Sequence, residues 1–263
     1  MLISLVKYLW TLKSFKVLYD LLDESLDGGA SLDSRVLKEY LDKNDFPIIR
    51  KGYHKYLTFE GMEDSHTYIL KEGTVKASVI SNDGREFNLR YIKDLEIVSL
   101  LKDEYSQFID SPYNIRVESE YAEFYRINRV RFWQNINQDP KLQHYVKEYY
   151  RYRLLYSMKK MQQMLLNGKL GAVCTQLYEL YDLFGVRTEE GMLIDFSITN
   201  EENRQILWYS TASSVNRILK QLKKDGIITV KIIISLFEYG LVRRQYYLLM
   251  NKEVVTEVVS FKK

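Results

Sequence analysis

Cysteine is nearly absent from this sequence, and histidine is scarce. The chain has one cysteine, Cys174, and three histidines among 263 residues. A single thiol excludes an internal disulfide framework and a cysteine-based site for zinc or an iron–sulfur cluster. The histidines, His54, His66 and His144, are too scattered for metal-ligand spacing. We therefore predict no metal site, and a reducing, cytoplasmic setting.

The short motifs of many enzymes are missing as well. The sequence contains no glycine-rich phosphate loop and no nucleophile elbow. Its Asp and Glu residues are abundant but fall into no catalytic pairing. Hydrophobic residues make up 46% of the chain and no low-complexity run occurs, so a folded core is expected. These features predict a folded protein that is not an enzyme.

A long uncharged apolar run is also lacking in residues 1–22. Lys7, Lys13, Lys16 and Asp20 interrupt this segment, and no cleavage site of small residues follows it. Its apolar side chains recur at helical spacing, at Leu2, Leu5, Leu9, Leu12 and Phe15. We predict an amphipathic helix or an upstream extension here, rather than a signal peptide or a membrane anchor.

Charge is unevenly distributed along the chain. Residues 1–140 hold 19 Lys and Arg against 23 Asp and Glu, whereas residues 141–263 hold 19 against 12. A basic C-terminal half beside an acidic N-terminal half suggests that the basic half contacts a polyanion, although chance variation in surface charge would look the same.

The middle of the chain has the composition of short strands. The β-rich runs are residues 48–49, 56–59, 67–70, 74–80, 86–92, 114–118 and 123–127. Gly73 and Gly84 lie between successive runs, and both predict hairpin turns because glycine adopts positive φ at little steric cost. A short helix over residues 34–41 precedes these runs. Together the pattern predicts an antiparallel roll or sandwich.

A long helix is predicted from Pro140 to about Leu166, since proline fits the first helical turn. Apolar and aromatic side chains recur along it at alternating spacings of three and four, at Leu142, Tyr145, Tyr149, Tyr152 and Tyr156. Such a seam packs against a partner helix or against the β-roll of its own chain, and the two alternatives stay open.

The C-terminal part has the element order of a winged helix-turn-helix. We predict helices over residues 170–184, from about residue 200, and over 211–224. Strands are predicted at 192–196 and 227–234. Within the last helix, the side chains expected to pack inward are Val215, Ile218, Leu219 and Leu222. Arg217 would then reach guanine O6 and N7 if this helix enters the major groove. The alternative is an ordinary solvated basic helix.

Four stretches of the chain resemble the Crp/Fnr family of transcription regulators, and within it the PrfA-like branch of listerial and streptococcal virulence regulators. They are residues 68–76, 82–93, 167–177 and 213–223, and the similarity extends over about residues 33–230. The resemblance implies a roll that senses a signal, a helix that forms a homodimer, and a recognition helix that reads palindromic double-stranded DNA. It also suggests RNA polymerase as a partner.

Specific residues follow from this resemblance. The DNA contacts it implies, together with one further lysine of the same helix, are Thr211, Ser213, Ser214, Arg217 and Lys220. The Gly-Glu…Arg-Ser/Thr-Ala cassette that binds cyclic AMP is not found between residues 91 and 121, which argues against cyclic AMP. The PrfA-like branch binds glutathione, and the matching effector positions here are Tyr91, Lys93 and Tyr156. Arg153 and Ile92 depart from that branch, so packing of these side chains is the alternative.

The predicted fold class is α+β. An extension (residues 1–32) precedes a cyclic-nucleotide-binding-like β-roll (33–138), a dimerisation helix (139–167), a winged helix-turn-helix (168–235) and an atypical tail (236–263). The turn before the recognition helix, within residues 203–209, lacks the usual glycine. We hypothesise that local frameshifts altered residues 203–209 and 231–263. The competing interpretation is a sensor or interaction module of the same fold with impaired DNA binding.

Overall fold

The structure is a computed structural model that describes residues 34–84, 86–99, 111–166, 168–189, 191–196, 212–236 and 242–251. Its helices are α1 (Arg35–Asp42), α2 (Arg129–Gln138), α3 (Pro140–Leu166), α4 (Gly168–Phe184) and α5 (Ala212–Lys224). Its strands are β1 (Ile48–Gly52), β2 (Tyr56–Thr58), β3 (His66–Glu72), β4 (Val75–Ile80), β5 (Glu86–Ile92), β6 (Glu96–Ile97), β7 (Asn114–Val117), β8 (Tyr121–Asn128), β9 (Gly185–Thr188), β10 (Gly191–Ile194), β11 (Ile228–Leu236) and β12 (Val242–Asn251).

The chain divides into two compact units, with the boundary inside α3 between Leu155 and Tyr156. We call residues 30–155 the roll unit and residues from 156 onward the C-terminal unit. The roll unit contains two antiparallel four-stranded sheets, ordered β1-β8-β3-β6 and β2-β7-β4-β5. The predicted antiparallel roll is therefore confirmed.

The two glycine turns predicted as hairpins behave differently. Gly84, at φ +80°, joins β4 to β5, which pair from Val75–Ile92 to Ile80–Glu86, so this hairpin is confirmed. Gly73 does not close a hairpin, because β3 and β4 belong to different sheets. There the chain crosses between sheets at φ +100°, and a Cβ on Gly73 would lie 2.5 Å from the Tyr121 carbonyl oxygen. The glycine serves a close backbone approach rather than a hairpin.

The first sheet is buried on both faces. On β3, Tyr68 and Leu70 belong to a core cluster between the two sheets, together with Phe124 of β8. Ile69 points the other way, into a cluster with α1, α2 and the first half of α3. The alternation of β-strand side chains thus divides the roll unit into two apolar cores.

Helix α3 confirms the predicted long helix, but three of the side chains predicted to form its seam pack on the chain's own roll. Leu142, Tyr145 and Tyr149 are buried in the core of their own roll unit and are not available to a partner helix. The alternative left open by the sequence, packing on the chain's own roll, therefore holds for these three. Tyr152 and Tyr156 are half-buried.

The C-terminal unit combines helices α4 and α5 with a third sheet, ordered β11-β12-β10-β9. Helix α4 ends at Phe184, one residue before Gly185 as expected, and contacts both α5 and β10. Strand β12 pairs with both β10 and β11, so residues 242–251 of the expected tail are part of this sheet. The predicted amphipathic segment before residue 33, the helix near residue 200 and the turn at 203–209 lie outside the described residues.

Candidate nucleic-acid interface

Helix α5 is amphipathic in the way its sequence indicates. Val215, Ile218 and Leu222 are almost completely buried, and Leu219 is half-buried. The helix contacts α4 and β11. Its end is fixed by Gly226 at φ +74°, whose N–H donates to the Lys223 carbonyl. The apolar face therefore anchors α5 and determines which side faces outward.

The outward side of α5 is strongly basic. Its exposed residues are Asn216, Arg217, Lys220, Lys223 and Lys224. No acidic residue occurs between positions 212 and 224. Arg217, Lys220 and Lys224 are spaced three and four apart, so they lie on one face, opposite Val215. Four cationic side chains on one 13-residue helix suit a polyanionic partner.

The structure brings some of the expected DNA contacts together. Arg217 and Lys220 share the exposed face of α5. Ser213 lies in the first turn of the helix, and Ser214 is half-buried one residue later. Thr211 lies outside the described residues. The role of these residues in DNA contact stays a prediction.

The expected effector residues fall in both units. Tyr91, on β5 of the roll unit, is buried, and Lys93 follows the strand and is exposed. Tyr156 belongs to the C-terminal unit, where its hydroxyl donates to the Glu179 carboxylate. Their role in binding an effector stays a prediction.

A buried polar cluster around Glu179 was not foreseen from the sequence. Lys160 Nζ lies 2.8 Å from both carboxylate oxygens of Glu179, and Gln176 Nε2 donates to Oε2 at 3.0 Å. Lys160 comes from α3, whereas Gln176 and Glu179 come from α4. Lys160 and Glu179 are 8% and 3% exposed, so the pair is shielded from water. The sequence signal was weak, because the two charges lie 19 residues apart on different helices.

A second buried charge network lies on the β4-β5-β7 sheet. Lys76 Nζ lies 3.0 Å from Glu86 and 3.7 Å from Glu118, and Arg116 contacts Glu118 at 2.8 Å and Glu86 at 3.5 Å. Burial raises the pKa of Glu86. The hydrogen bond from Ser78 and the two cations outweigh this effect, so the pKa lies below its usual value. The charge of Arg116 is therefore paired with two carboxylates inside the roll unit.

A third polar group connects the roll to the long helix inside the roll unit. The Glu96 carboxylate of β6 accepts hydrogen bonds from Arg90 of β5, at 2.6 Å, and from Arg153 of α3. Burial alone would lower the pKa of Arg90, but Glu96 raises it above its usual value. The Tyr149 hydroxyl donates to the Ile97 carbonyl at 3.0 Å. These contacts fix the first half of α3 against the roll.

The second half of α3 exposes an apolar stripe. Leu154, Met158, Met161 and Leu165 are 46–68% exposed and follow one another at spacings of four, three and four. This is the heptad spacing by which two helices pack against each other. This exposed stripe lies nearer the C-terminal end of the helix than the seam predicted from the sequence, and on another face.

Cys174 is a buried thiol of helix α4. Burial in α4 raises the pKa of its thiol to about 12, so the thiolate is not populated near neutral pH. Among the described residues, no cluster of His, Cys, Asp and Glu is suited to a metal ion. None of the described helices is both long and apolar enough to cross a bilayer.

Comparison with known proteins identifies relatives over most of the chain. The lactate racemization regulatory protein of Lactiplantibacillus plantarum is 49% identical over 199 residues, or 76% of this chain and 90% of that protein. The listeriolysin regulatory protein of Listeria monocytogenes is 30% identical over 202 residues, 74% of this chain and 82% of that protein. No protein-family model matches the chain.

Among solved structures, the global regulator CLP of Xanthomonas campestris matches with a TM-score of 0.61 at 17% identity, covering 83% of this chain and 99% of that chain. At this identity the likeness shows the fold alone. The identities to two named regulatory proteins, over about three quarters of this chain, define the class as a transcription regulator. The chain belongs to the Crp/Fnr family of such regulators, and its predicted resemblance to the PrfA-like branch is confirmed.

Proposed function

We propose that this regulator binds palindromic promoter DNA as a homodimer, with α5 as the recognition helix. The observation that carries the proposal is the division of α5 into a buried apolar face and an exposed basic face without acidic residues. Inserted in the major groove, Arg217 would donate two hydrogen bonds to guanine, and Lys220 and Lys224 would contact phosphates. The contacts to guanine would specify the base sequence, and the phosphate contacts would fix the position of the helix on the DNA.

The homodimer is supported by the apolar stripe of α3. Leu154, Met158, Met161 and Leu165 are too exposed for a helix that remains alone in water, and their spacing suits a second copy of the same helix. Two copies related by a two-fold axis would present two α5 helices to half-sites about one helical turn of DNA apart.

A signal bound by the roll unit would change the placement of the two α5 helices. The expected effector is a small peptide or thiol such as glutathione, held by Tyr91, Lys93 and Tyr156. Cyclic AMP suits the roll poorly, because Arg116 already binds the carboxylates of Glu86 and Glu118. RNA polymerase, in the cytoplasm, is the partner through which DNA binding would change transcription.

The test is binding of the purified protein to palindromes selected from random DNA. Arg217→Ala should reduce the preference for the selected palindrome over random DNA by about 1–3 kcal/mol for each half-site. Lys55→Ala, an exposed lysine of the roll unit, is the matched control and should leave this preference unchanged. Failure of the wild-type protein to select any sequence would contradict the proposal.

One observation favours a second function, a sensor or interaction module of the same fold. The segment 203–209 lacks the glycine that usually forms the turn before a recognition helix. Under this interpretation the protein dimerises and binds its effector, yet shows no preference for a palindrome at any salt concentration. The same binding experiment therefore separates the two functions.

A further inference from the structure

The buried cluster of Lys160 and Glu179 joins the long helix to the first helix of the C-terminal unit. The Lys160 ammonium lies 2.8 Å from each oxygen of Glu179, and Tyr156 and Gln176 donate to the same carboxylate. Three side chains therefore converge on one acceptor that is 3% exposed. Two of them, Lys160 and Tyr156, come from α3, so the carboxylate of α4 is held from the neighbouring helix.

Stability alone explains such a pair poorly. Removing an ammonium and a carboxylate from water is unfavourable, and well-packed apolar residues at such positions are often equally stabilising. Apolar contacts, however, tolerate sliding and rotation of one helix on another. A carboxylate that accepts from Lys160, Tyr156 and Gln176 at once is satisfied in one arrangement of the two helices, so the cluster fixes the register between them.

Helix α4 determines where the recognition helix lies. It contacts α5 and β10, and the two helices are parts of one compact unit. A shift of α4 along α3 would therefore carry α5, with Arg217, to a different distance from the two-fold axis of a dimer formed through α3.

We propose that Lys160 and Glu179 are positioning residues that set the separation of the two recognition helices in the dimer. They touch no DNA. They act through α4 and decide which half-site spacing the dimer accepts. This inference rests on the proposed function, because it requires a dimer that reads two half-sites.

The experiment compares full-length variants on a series of duplexes whose half-sites differ only in spacing. The wild-type protein should bind one spacing about tenfold or more tightly than spacings one or two base pairs longer or shorter, because mis-spaced sites require deformation of the DNA. Lys160→Met/Glu179→Met should bind all these spacings within about threefold of one another, because the register of α4 is no longer fixed. Affinity for an isolated half-site should remain unchanged, because α5 is intact.

Two further variants make the result decisive. Lys160→Gln/Glu179→Gln removes both charges while retaining hydrogen-bonding groups, and it serves if the methionine variant fails to fold. Arg151→Met/Glu148→Met removes an ion pair from the partly exposed surface of the same helix and is the control. The control should keep the wild-type spacing preference.

Each outcome has a defined meaning. Relaxed spacing in a folded, dimeric Lys160/Glu179 variant, with an unchanged half-site affinity, supports the proposal. An unchanged spacing preference in that variant, or a wild-type protein indifferent to spacing, overturns it. A wild-type protein that binds no palindrome contradicts the proposed function itself, which distinguishes the two failures.

Discussion

One pair of basic side chains in the roll unit and the basic face of helix α5 in the C-terminal unit are placed in opposite ways. In the roll unit, Lys76 and Arg116 are held by Glu86 and Glu118 on a buried sheet face. In the C-terminal unit, the cations of α5 are exposed and the helix has no acidic residue. The charges of Lys76 and Arg116 are therefore paired within the roll unit, whereas α5 leaves its positive charge facing outward.

This difference has a physical cause and a functional consequence. A charge removed from water is tolerated only when it is paired and hydrogen-bonded, so Lys76 and Arg116 require their carboxylates. A solvated cation needs no such partner, and its field extends about one Debye length, roughly 8–10 Å, into solution. The solvated cations of α5 therefore suit the polyanionic partner proposed above.

The largest expected effect comes from breaking the buried network of the roll unit. Glu86→Gln leaves the cations of Lys76 and Arg116 with one carboxylate between them. We expect the free energy of unfolding to fall by about 3–5 kcal/mol, the usual cost of leaving a buried charge uncompensated. Urea denaturation followed by circular dichroism measures this loss.

The matched substitution in the C-terminal unit should leave the free energy of unfolding almost unchanged. Lys220→Ala removes an exposed cation, and we expect the free energy of unfolding to change by less than about 0.5 kcal/mol. Equal losses for Glu86→Gln and Lys220→Ala would contradict the distinction between paired and exposed charges.

The second prediction concerns the two halves of α3, which show the same contrast for apolar residues. Leu142 is buried in the roll unit, whereas Met158 and Met161 are exposed. Met158→Glu/Met161→Glu should weaken dimerisation by about 2 kcal/mol or more, because it places like charges at the centre of the proposed seam. Analytical ultracentrifugation measures the dissociation constant.

His144→Glu is the control for this change, because it introduces a carboxylate at an exposed position in the first half of the same helix. It should leave the dissociation constant unchanged. If the methionine variant remained dimeric at the same protein concentrations, the seam would lie elsewhere.

Most of the roll unit could be predicted from its sequence because local patterns determine it. Alternating apolar residues and the turn at Gly84 gave the strands and one hairpin correctly. Helix α2 was missed, since Val130, Phe132 and Ile136 are as common in strands as in helices. Its start depends on the Asn128 side chain, which accepts a hydrogen bond from the Arg131 N–H.

Local sequence patterns do not predict contacts between residues that lie far apart in the sequence. Gly73 looks like a hairpin glycine, but the approach of Tyr121 that requires it comes from another strand. Likewise, the spacing along α3 identified Leu142 and Tyr149 as apolar without showing that the chain's own roll covers them. For the candidate site, the faces of α5 were predictable from helical periodicity, whereas the Lys160–Glu179 pair was not.

The third prediction tests the exposed charge of α5 through the salt dependence of DNA binding. Lys220→Ala and Lys224→Ala should each reduce the slope of log K against log salt concentration by about two, because each subunit of the dimer then releases one fewer counterion from DNA. Fluorescence anisotropy over a range of KCl concentrations gives this slope. Lys141→Ala, an exposed lysine at the start of α3, should leave it unchanged, and an equal effect would indicate a nonspecific charge contribution.

The smallest expected effect is the pH dependence that the buried network contributes to stability. The pKa of Glu86 is raised by burial but lowered more strongly by Ser78, Lys76 and Arg116, so it lies below the pKa of the unfolded chain. The stabilisation is therefore fully present above the unfolded pKa and is lost as the pH falls through the folded pKa. In Glu86→Gln this acid-dependent part should disappear, giving a flatter profile of unfolding free energy below neutral pH. A Glu86→Gln profile parallel to that of the wild-type protein would show that the carboxylate is not ionised in the folded state, and the contrast with the solvated cations of α5 would lose its electrostatic basis.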